Sequence, residues 1–258
     1  MTAYLGAPIA ASTLVYGGEH SLLRQSWAPR ELLTGSVNAD GWGVAWWRDG
    51  RAVRLARAEP AWYDPGVRAV LEGAPSGCGV AAIRNATPGI PVGPHAVAPF
   101  VRGPWAFVLN GWVPDFRQRH MRALRRGLPD ELYGALTGSS DTETLFLLAV
   151  RAMDEGASPG EALQDVVRRA LDGVEERGGG ECQLALLLAD GREVAVALAS
   201  NVERTHSLYV VEGGRLAPDG VLVASERLDD DGGWRRLPAH HLLTVQEAGV
   251  EIRPLERG

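Results

Sequence analysis

Helical periodicity in this chain is confined to one central stretch. Short apolar runs bounded by turn residues flank it on both sides, and that arrangement restricts the folds open to it. Before the stretch, Gly41 to Trp47 and Arg51 to Ala56 read as a hairpin across Arg48-Asp49-Gly50, because Asp-Gly suits the primed turns that match strand twist. Cys78 to Arg84 and Trp105 to Leu109 read as strands, and Asn110-Gly111 is a second turn signal. From about Pro114 to Gly173 apolar residues recur three and four apart, in Thr142 to Met153 and in Pro159 to Leu171. Ser140 followed by Glu143 predicts a capping box at the start of the first of these helices. Gly178-Gly179-Gly180 breaks the pattern. Leu184 to Leu188, Val194 to Leu198, Leu208 to Val211, Val221 to Ser225, Leu242 to Val245 and Val250 to Ile252 then read as strands. Strands, helices and strands again fit an α+β protein with two packed sheets and helices outside.

Composition narrows the chemistry. With 258 residues, 45% of them apolar, and no linker-like tract, the chain is expected to form a single domain over residues 1–258. The opening has no basic segment followed by an apolar one, and no run approaches the length of a membrane span. A soluble, cytoplasmic protein with no membrane partner is expected. A formal net charge of −6 with scattered basic residues argues against nucleic acid as a partner. All 26 basic residues are arginine, which excludes lysine Schiff bases, Walker A phosphate binding and Ser-Lys dyads. Cys78 and Cys182 form no CxxC pair and are expected to be reduced and structural. His240-His241 matches no metal-ligand spacing and reads as a surface pair. Asp229-Asp230-Asp231 lacks the glycine and glutamate of a calcium loop.

Four short motifs remain: Asn38-Ala39-Asp40-Gly41-Trp42-Gly43, Ala82-Ile83-Arg84-Asn85-Ala86-Thr87, Asn110-Gly111 and Ser140-Asp141-Thr142-Glu143. Each has an ordinary reading as a Gly-rich Asx turn, a strand end, a hairpin turn or a helix start. Their order and spacing, with the opening Tyr4-Leu5-Gly6-Ala7-Pro8, resemble the class II glutamine amidotransferase-like hydrolases of the N-terminal-nucleophile superfamily. Within these the likeness runs to the γ-glutamyl-hercynylcysteine sulfoxide hydrolases of ergothioneine biosynthesis, which Gln25-Ser26-Trp27-Ala28-Pro29-Arg30 also matches.

The resemblance implies a four-layer αββα sandwich and cofactor-free, metal-free hydrolysis of a γ-glutamyl amide with release of glutamate. The glutamyl end of such a substrate is a zwitterion, and an arginine with an acid is the natural pair for it. Arg84 offers a planar fork for the α-carboxylate and Asp141 takes the α-ammonium. Asn110 and the Gly111 N–H would hold the oxyanion. Asp40, Trp42 and Gly43 would contribute pocket wall and turn.

The sequence departs from the family in two places. Leu109 stands where the family has the histidine of His-Asn-Gly. The segment ahead of Tyr4 is about three residues short, so the family's Met-Cys-Arg opening and its nucleophilic cysteine are absent. Thr2 is the only terminal substitute. An odd offset of three residues along a strand, ~10 Å, would put it far from Arg84 and Asn110 and on the wrong face. An active hydrolase with a cysteine preceding this chain, and an inactive binding or scaffolding protein that keeps the pocket, both follow as readings. The chain has no residues left for a synthase, so it acts alone, as a homodimer, or with a separate synthase subunit.

Overall fold

The computed structural model describes residues 1–64, 66–85 and 93–256. Seven strands form one sheet: β1 (Thr2–Ala10), β2 (Trp42–Arg48), β3 (Arg51–Arg57), β4 (Pro75–Ile83), β9 (Tyr209–Glu212), β10 (Gly220–Ala224) and β11 (Arg235–Arg236), in the order β11-β9-β10-β1-β4-β2-β3. Six form the other: β5 (Phe100–Arg102), β6 (Trp105–Trp112), β7 (Gln183–Ala189), β8 (Val194–Ser200), β12 (His241–Gln246) and β13 (Gly249–Pro254), in the order β13-β12-β8-β7-β6-β5. All the paired strands described are antiparallel.

Strand parity builds the layers, because successive side chains leave a strand on opposite faces. In β7, Ala185, Leu187 and Ala189 fill the space between the sheets, together with Val194, Val196 and Leu198 of β8 and Val80 and Ala82 of β4. Leu184, Leu186 and Leu188 face the other way and pack, with Phe107, on the helical layer of α6 (Asp141–Asp154) and α7 (Pro159–Glu176). Across the sandwich, Tyr4, Trp42, Val44, Ala81 and Leu222 leave the first sheet outward. They meet Leu14 and Val15 of α1 (Thr13–Tyr16), Leu22 of α2 (Leu22–Gln25) and Leu71 of α3 (Gly66–Glu72). Each large apolar side chain so buried contributes ~1.5–3 kcal/mol. The result is the four-layer αββα sandwich of the N-terminal-nucleophile type. Two short helices, α4 (Met121–Arg125) and α5 (Asp130–Gly134), lead into α6.

Most of the expected elements are present, and the Asp49-Gly50 hairpin has both residues at positive φ, 51° and 72°, as a primed turn requires. Two expectations are corrected. Asn110-Gly111 is not a turn: β6 runs through it, pairing Asn110 with Ala185 and Gly111 with Leu184. Gly111 is nevertheless obligatory, at φ 142°, since a Cβ there would lie 2.0 Å from the Gln183 carbonyl oxygen. The second correction concerns α6. Ser140 Oγ accepts the Glu143 N–H at 3.1 Å, but Glu143 does not reach back to cap Ser140. Its carboxylate accepts instead from Thr137 N–H, Thr137 Oγ and Gly138 N–H at 2.7, 2.6 and 2.9 Å. The complete capping box is at Ser158 and Glu161, opening α7. The short helices α1 to α3 and the strands β5 and β11 went unread because they are too brief to show a period.

Candidate active site

Between the sheets the apolar filling stops at one end, and parity delivers polar side chains there. In β4 the inward residues are Cys78, Val80 and Ala82, and Arg84 follows just past the strand end. In β6 they are Ala106 and Val108, followed by Asn110. Ala3 of β1 faces inward as well, with Met1 just ahead of the strand. Arg84 and Asn110 line a cavity of about 690 Å³ together with Gly111, Ser140, Asp141 and His206. A smaller space of about 50 Å³ adjoins it, lined by Met1, Asn38, Asn110, His206, Ser225 and Glu226.

Arg84 is fixed by its own backbone. Its N–H donates to the Gly41 carbonyl at 2.8 Å, and its carbonyl accepts from Asp40 N–H at 3.0 Å, extending the β2–β4 ladder by one step. Its Nη1 is buried without a hydrogen-bond partner among the described residues. Burial lowers the guanidinium pKa, against the opposing charges of Asp40 and Asp141. A buried donor without a partner is unfavourable, and a bound anion would relieve it.

Asp141 is the first residue of α6. Its carboxylate accepts from Val113 N–H at 3.0 Å, Thr142 N–H at 2.7 Å and Thr142 Oγ at 3.3 Å. The residue keeps some exposure to the cavity, but its carboxylate is packed deeply enough that burial raises its pKa despite those bonds. The cavity thus carries a cation and an anion, held by different elements, with room between them for a small molecule.

The other motif residues fall differently. Trp42 points outward and is 1% exposed in the core beneath α1 and α2. Neither it, nor Gly43, nor Asp40 lines either cavity. Gly43 is instead a packing glycine, where a Cβ would meet the Ala98 carbonyl oxygen at 2.5 Å. From that motif it is Asn38 that reaches the site, with its N–H on Ser26 and its side-chain amide on the Gln25 carbonyl. Ala86 and Thr87 lie outside the described residues. Thr2 is completely buried on the outward face, its hydroxyl donating to the Leu14 carbonyl at 3.0 Å, and it lines neither cavity. Cys78 and Cys182 are buried free thiols. Burial pushes the Cys78 pKa up strongly and that of Cys182 to about 12, and neither lines either of these two cavities.

Further residues gather at the amino end of the site. The Met1 ammonium donates to Ser225 Oγ at 2.8 Å, while Ser225 N–H donates to the Met1 carbonyl at 2.9 Å. Burial lowers this amine's pKa to about 5, with Glu226 opposing. Glu226 anchors the 30–31 backbone, accepting from Arg30 N–H at 2.8 Å and Glu31 N–H at 3.2 Å. His206 precedes β9 in a stretch with no periodicity to suggest that it is buried.

The chain belongs to the class II glutamine amidotransferase family, whose model matches residues 19–218, and so to a group of amidotransferase and hydrolase enzymes. Among its relatives, a Mycolicibacterium smegmatis protein named gamma-glutamyl-hercynylcysteine sulfoxide hydrolase is 35% identical over 257 residues, 98% of each chain. A Mycobacterium tuberculosis protein of the same name is 33% identical over 254 residues, 98% of this chain and 95% of that one. The fold is shared with a glutamine aminotransferase class-II domain protein from Silicibacter pomeroyi, with a TM-score of 0.75 and 24% identity, covering 99% of this chain and 98% of the other. No helix among the described residues is long and apolar enough to cross a membrane.

Proposed function

We propose that this site binds the glutamyl end of a γ-glutamyl amide and that the protein hydrolyses it to glutamate. The observation that carries this reading is one cavity holding the Asp141 carboxylate together with a buried Arg84 Nη1 that has no partner among the described residues. Arg84 would take the α-carboxylate and Asp141 the α-ammonium, which leaves the γ-carbonyl towards Asn110 and Gly111.

The nucleophile would be the thiol of an N-terminal cysteine ahead of residue 1. Two further residues of strand return a side chain to the inward face that Met1 occupies. That thiol adds to the γ-carbonyl carbon and its proton passes to the cysteine's own α-amine. Asn110 and the Gly111 N–H hold the oxyanion, and removing such a donor costs about 2.7–4 kcal/mol of transition-state stabilisation. Collapse expels the leaving amine, which takes the proton and leaves a thioester. Water then adds, releasing glutamate and the thiol.

On this reading the 258-residue chain binds without turnover, because its two thiols are buried away from the cavity. The names of the relatives favour a γ-glutamyl-hercynylcysteine sulfoxide type of substrate. An adjoining cavity of about 400 Å³, which shares Ala96, Phe100, Ser139 and Ser140 with the main one, offers space for such a leaving group. The second reading, a binding protein without hydrolysis, is favoured by the same lack of a thiol among the described residues that line the cavity.

The test compares glutamate release by this chain and by a form whose mature N-terminus is Cys-Arg ahead of Met1, alongside N-terminal sequencing of the protein from its host. Release by the Cys-bearing form alone supports the hydrolase. Binding by both with release by neither supports the binding protein. Release by the 258-residue chain would overturn the assignment of the nucleophile.

A further inference from the structure

His206 lines both the large cavity and the small one, as Asn110 does. Arg84 and Asp141 belong only to the large cavity, and Met1, Ser225 and Glu226 only to the small one. His206 and Asn110, with Asn38, therefore lie along the boundary between the glutamyl clamp and the chain's amino end. The residue is 5% exposed, and its Nε2 is buried without a hydrogen-bond partner among the described residues. Trp112 holds the ring edge-on, with centroids 5.9 Å apart and an interplanar angle of 85°. No part of the chemistry above uses this nitrogen.

We propose that His206 is a further substrate-contacting residue, its Nε2 hydrogen-bonding the γ-amide group of the bound glutamyl compound beside Asn110. This rests on the glutamyl reading of the cavity, since the two charged ends of the ligand are assigned to Arg84 and Asp141. What is left of such a ligand to reach the junction is the amide itself, which offers both an N–H and a carbonyl oxygen. A neutral imidazole can meet either one, depending on its tautomer. The ring is neutral at pH 7, because burial above all depresses its pKa to about 4. It adds no charge at the junction, so it discriminates by hydrogen bonding alone. An unpartnered buried nitrogen is also unfavourable in the empty site, which increases the gain when a ligand supplies a partner.

The test uses the 258-residue chain and two probes. L-Glutamine carries the γ-amide. L-Norvaline keeps the α-carboxylate, the α-ammonium and the carbon chain but ends in a methyl group. Affinities are measured by calorimetry for wild type, His206→Phe, His206→Gln and Arg84→Gln, with thermal melts to verify folding. His206→Phe keeps an aromatic ring against Trp112. It is expected to weaken glutamine about 5- to 10-fold while changing norvaline less than about 2-fold. His206→Gln should recover part of the loss. In 15N spectra of histidine-labelled wild type, the His206 Nε2 resonance should move with glutamine and not with norvaline. Equal losses for both probes, or no loss for either, with an unmoved resonance, would overturn the proposal. Arg84→Gln should weaken both probes. If it weakens neither, the glutamyl reading fails, and that failure is distinct from any result at His206.

Discussion

The two long helices begin with the same signature, Ser-x-x-Glu, and use it differently. At α7 the box closes on itself: Ser158 Oγ accepts from Glu161 N–H at 3.3 Å, and the Glu161 carboxylate accepts from Ser158 N–H at 2.8 Å. At α6 only the first half forms, and Glu143 turns away to hold the Thr137 and Gly138 backbone. The difference follows from position. Glu161 is open to solvent and satisfies only its own helix. Glu143 is 6% exposed and fixes the loop that carries Ser139, Ser140 and Asp141 into the cavity wall. A helix start becomes part of a site when its capping acid is diverted to neighbouring chain and its first residue is left to face a cavity.

Substitutions should separate the two starts, and the largest effect is expected at the charge that α6 presents. Asp141→Asn should weaken glutamine binding about 100-fold, as truncation of a buried charged contact does. Arg84→Gln should do the same from β4. The equivalent change in the first turn of α7, Glu161→Gln, should leave affinity unchanged. Calorimetry on the three variants decides this, and a loss with Glu161→Gln would break the comparison.

Next comes Glu143→Ala. It strips a carboxylate from three donors, at about 1.5–3 kcal/mol for a charged acceptor, with more for the donors left buried. Denaturant unfolding should show a loss of ~2–4 kcal/mol, and glutamine affinity should fall with it. Glu161→Ala should lower the melting temperature by less and leave affinity alone. The serines follow: Ser140→Ala and Ser158→Ala should each cost ~1 kcal/mol as lost N-caps, but only the first should weaken glutamine.

The same contrast explains what could be read from the sequence. Ser140-Asp141-Thr142-Glu143 correctly marked a helix start, because the Ser140 cap is local. Where Glu143 pointed depended on the Thr137–Gly138 loop, a tertiary neighbour that spacing cannot reveal. Asn110-Gly111 and Asp49-Gly50 make the same point: both are turn dipeptides, and only the second is a turn. At Gly111 the close approach of Gln183, a partner 72 residues away, demands glycine inside a strand. The strands and layers were legible because apolar runs and their parity are local properties. Arg84, Asn110 and Asp141 were named from their motifs, and all three line one cavity. Trp42 leaves β2 on the outward face and Gly43 is taken up by close packing against Ala98, neither of which the motif's letters reveal; Asn38 lay within that motif, but which of its residues faces the cavity depends on tertiary packing, and His206 had no local signal.

The smallest expected effect is in the pH dependence, and here the two ends of the site oppose each other. His206 has a folded pKa near 4 against 6.5 unfolded, so between those values the unfolded chain binds more protons. Its contribution is therefore complete above pH 6.5 and is lost as pH falls towards 4. Asp141 has a folded pKa raised above its usual 3.8, so over that window the folded chain holds the extra proton. Its contribution is lost as pH rises through the window above 3.8. His206→Phe should flatten the acid-side loss between pH 6.5 and 4, whereas Asp141→Asn should steepen the net rise of stability with pH just above 3.8. Both slopes can be read from melts across pH 4 to 7. A His206→Phe profile superimposable on wild type would mean that this ring is not held neutral by burial at the junction, and the case for its hydrogen bond to a ligand would weaken with it.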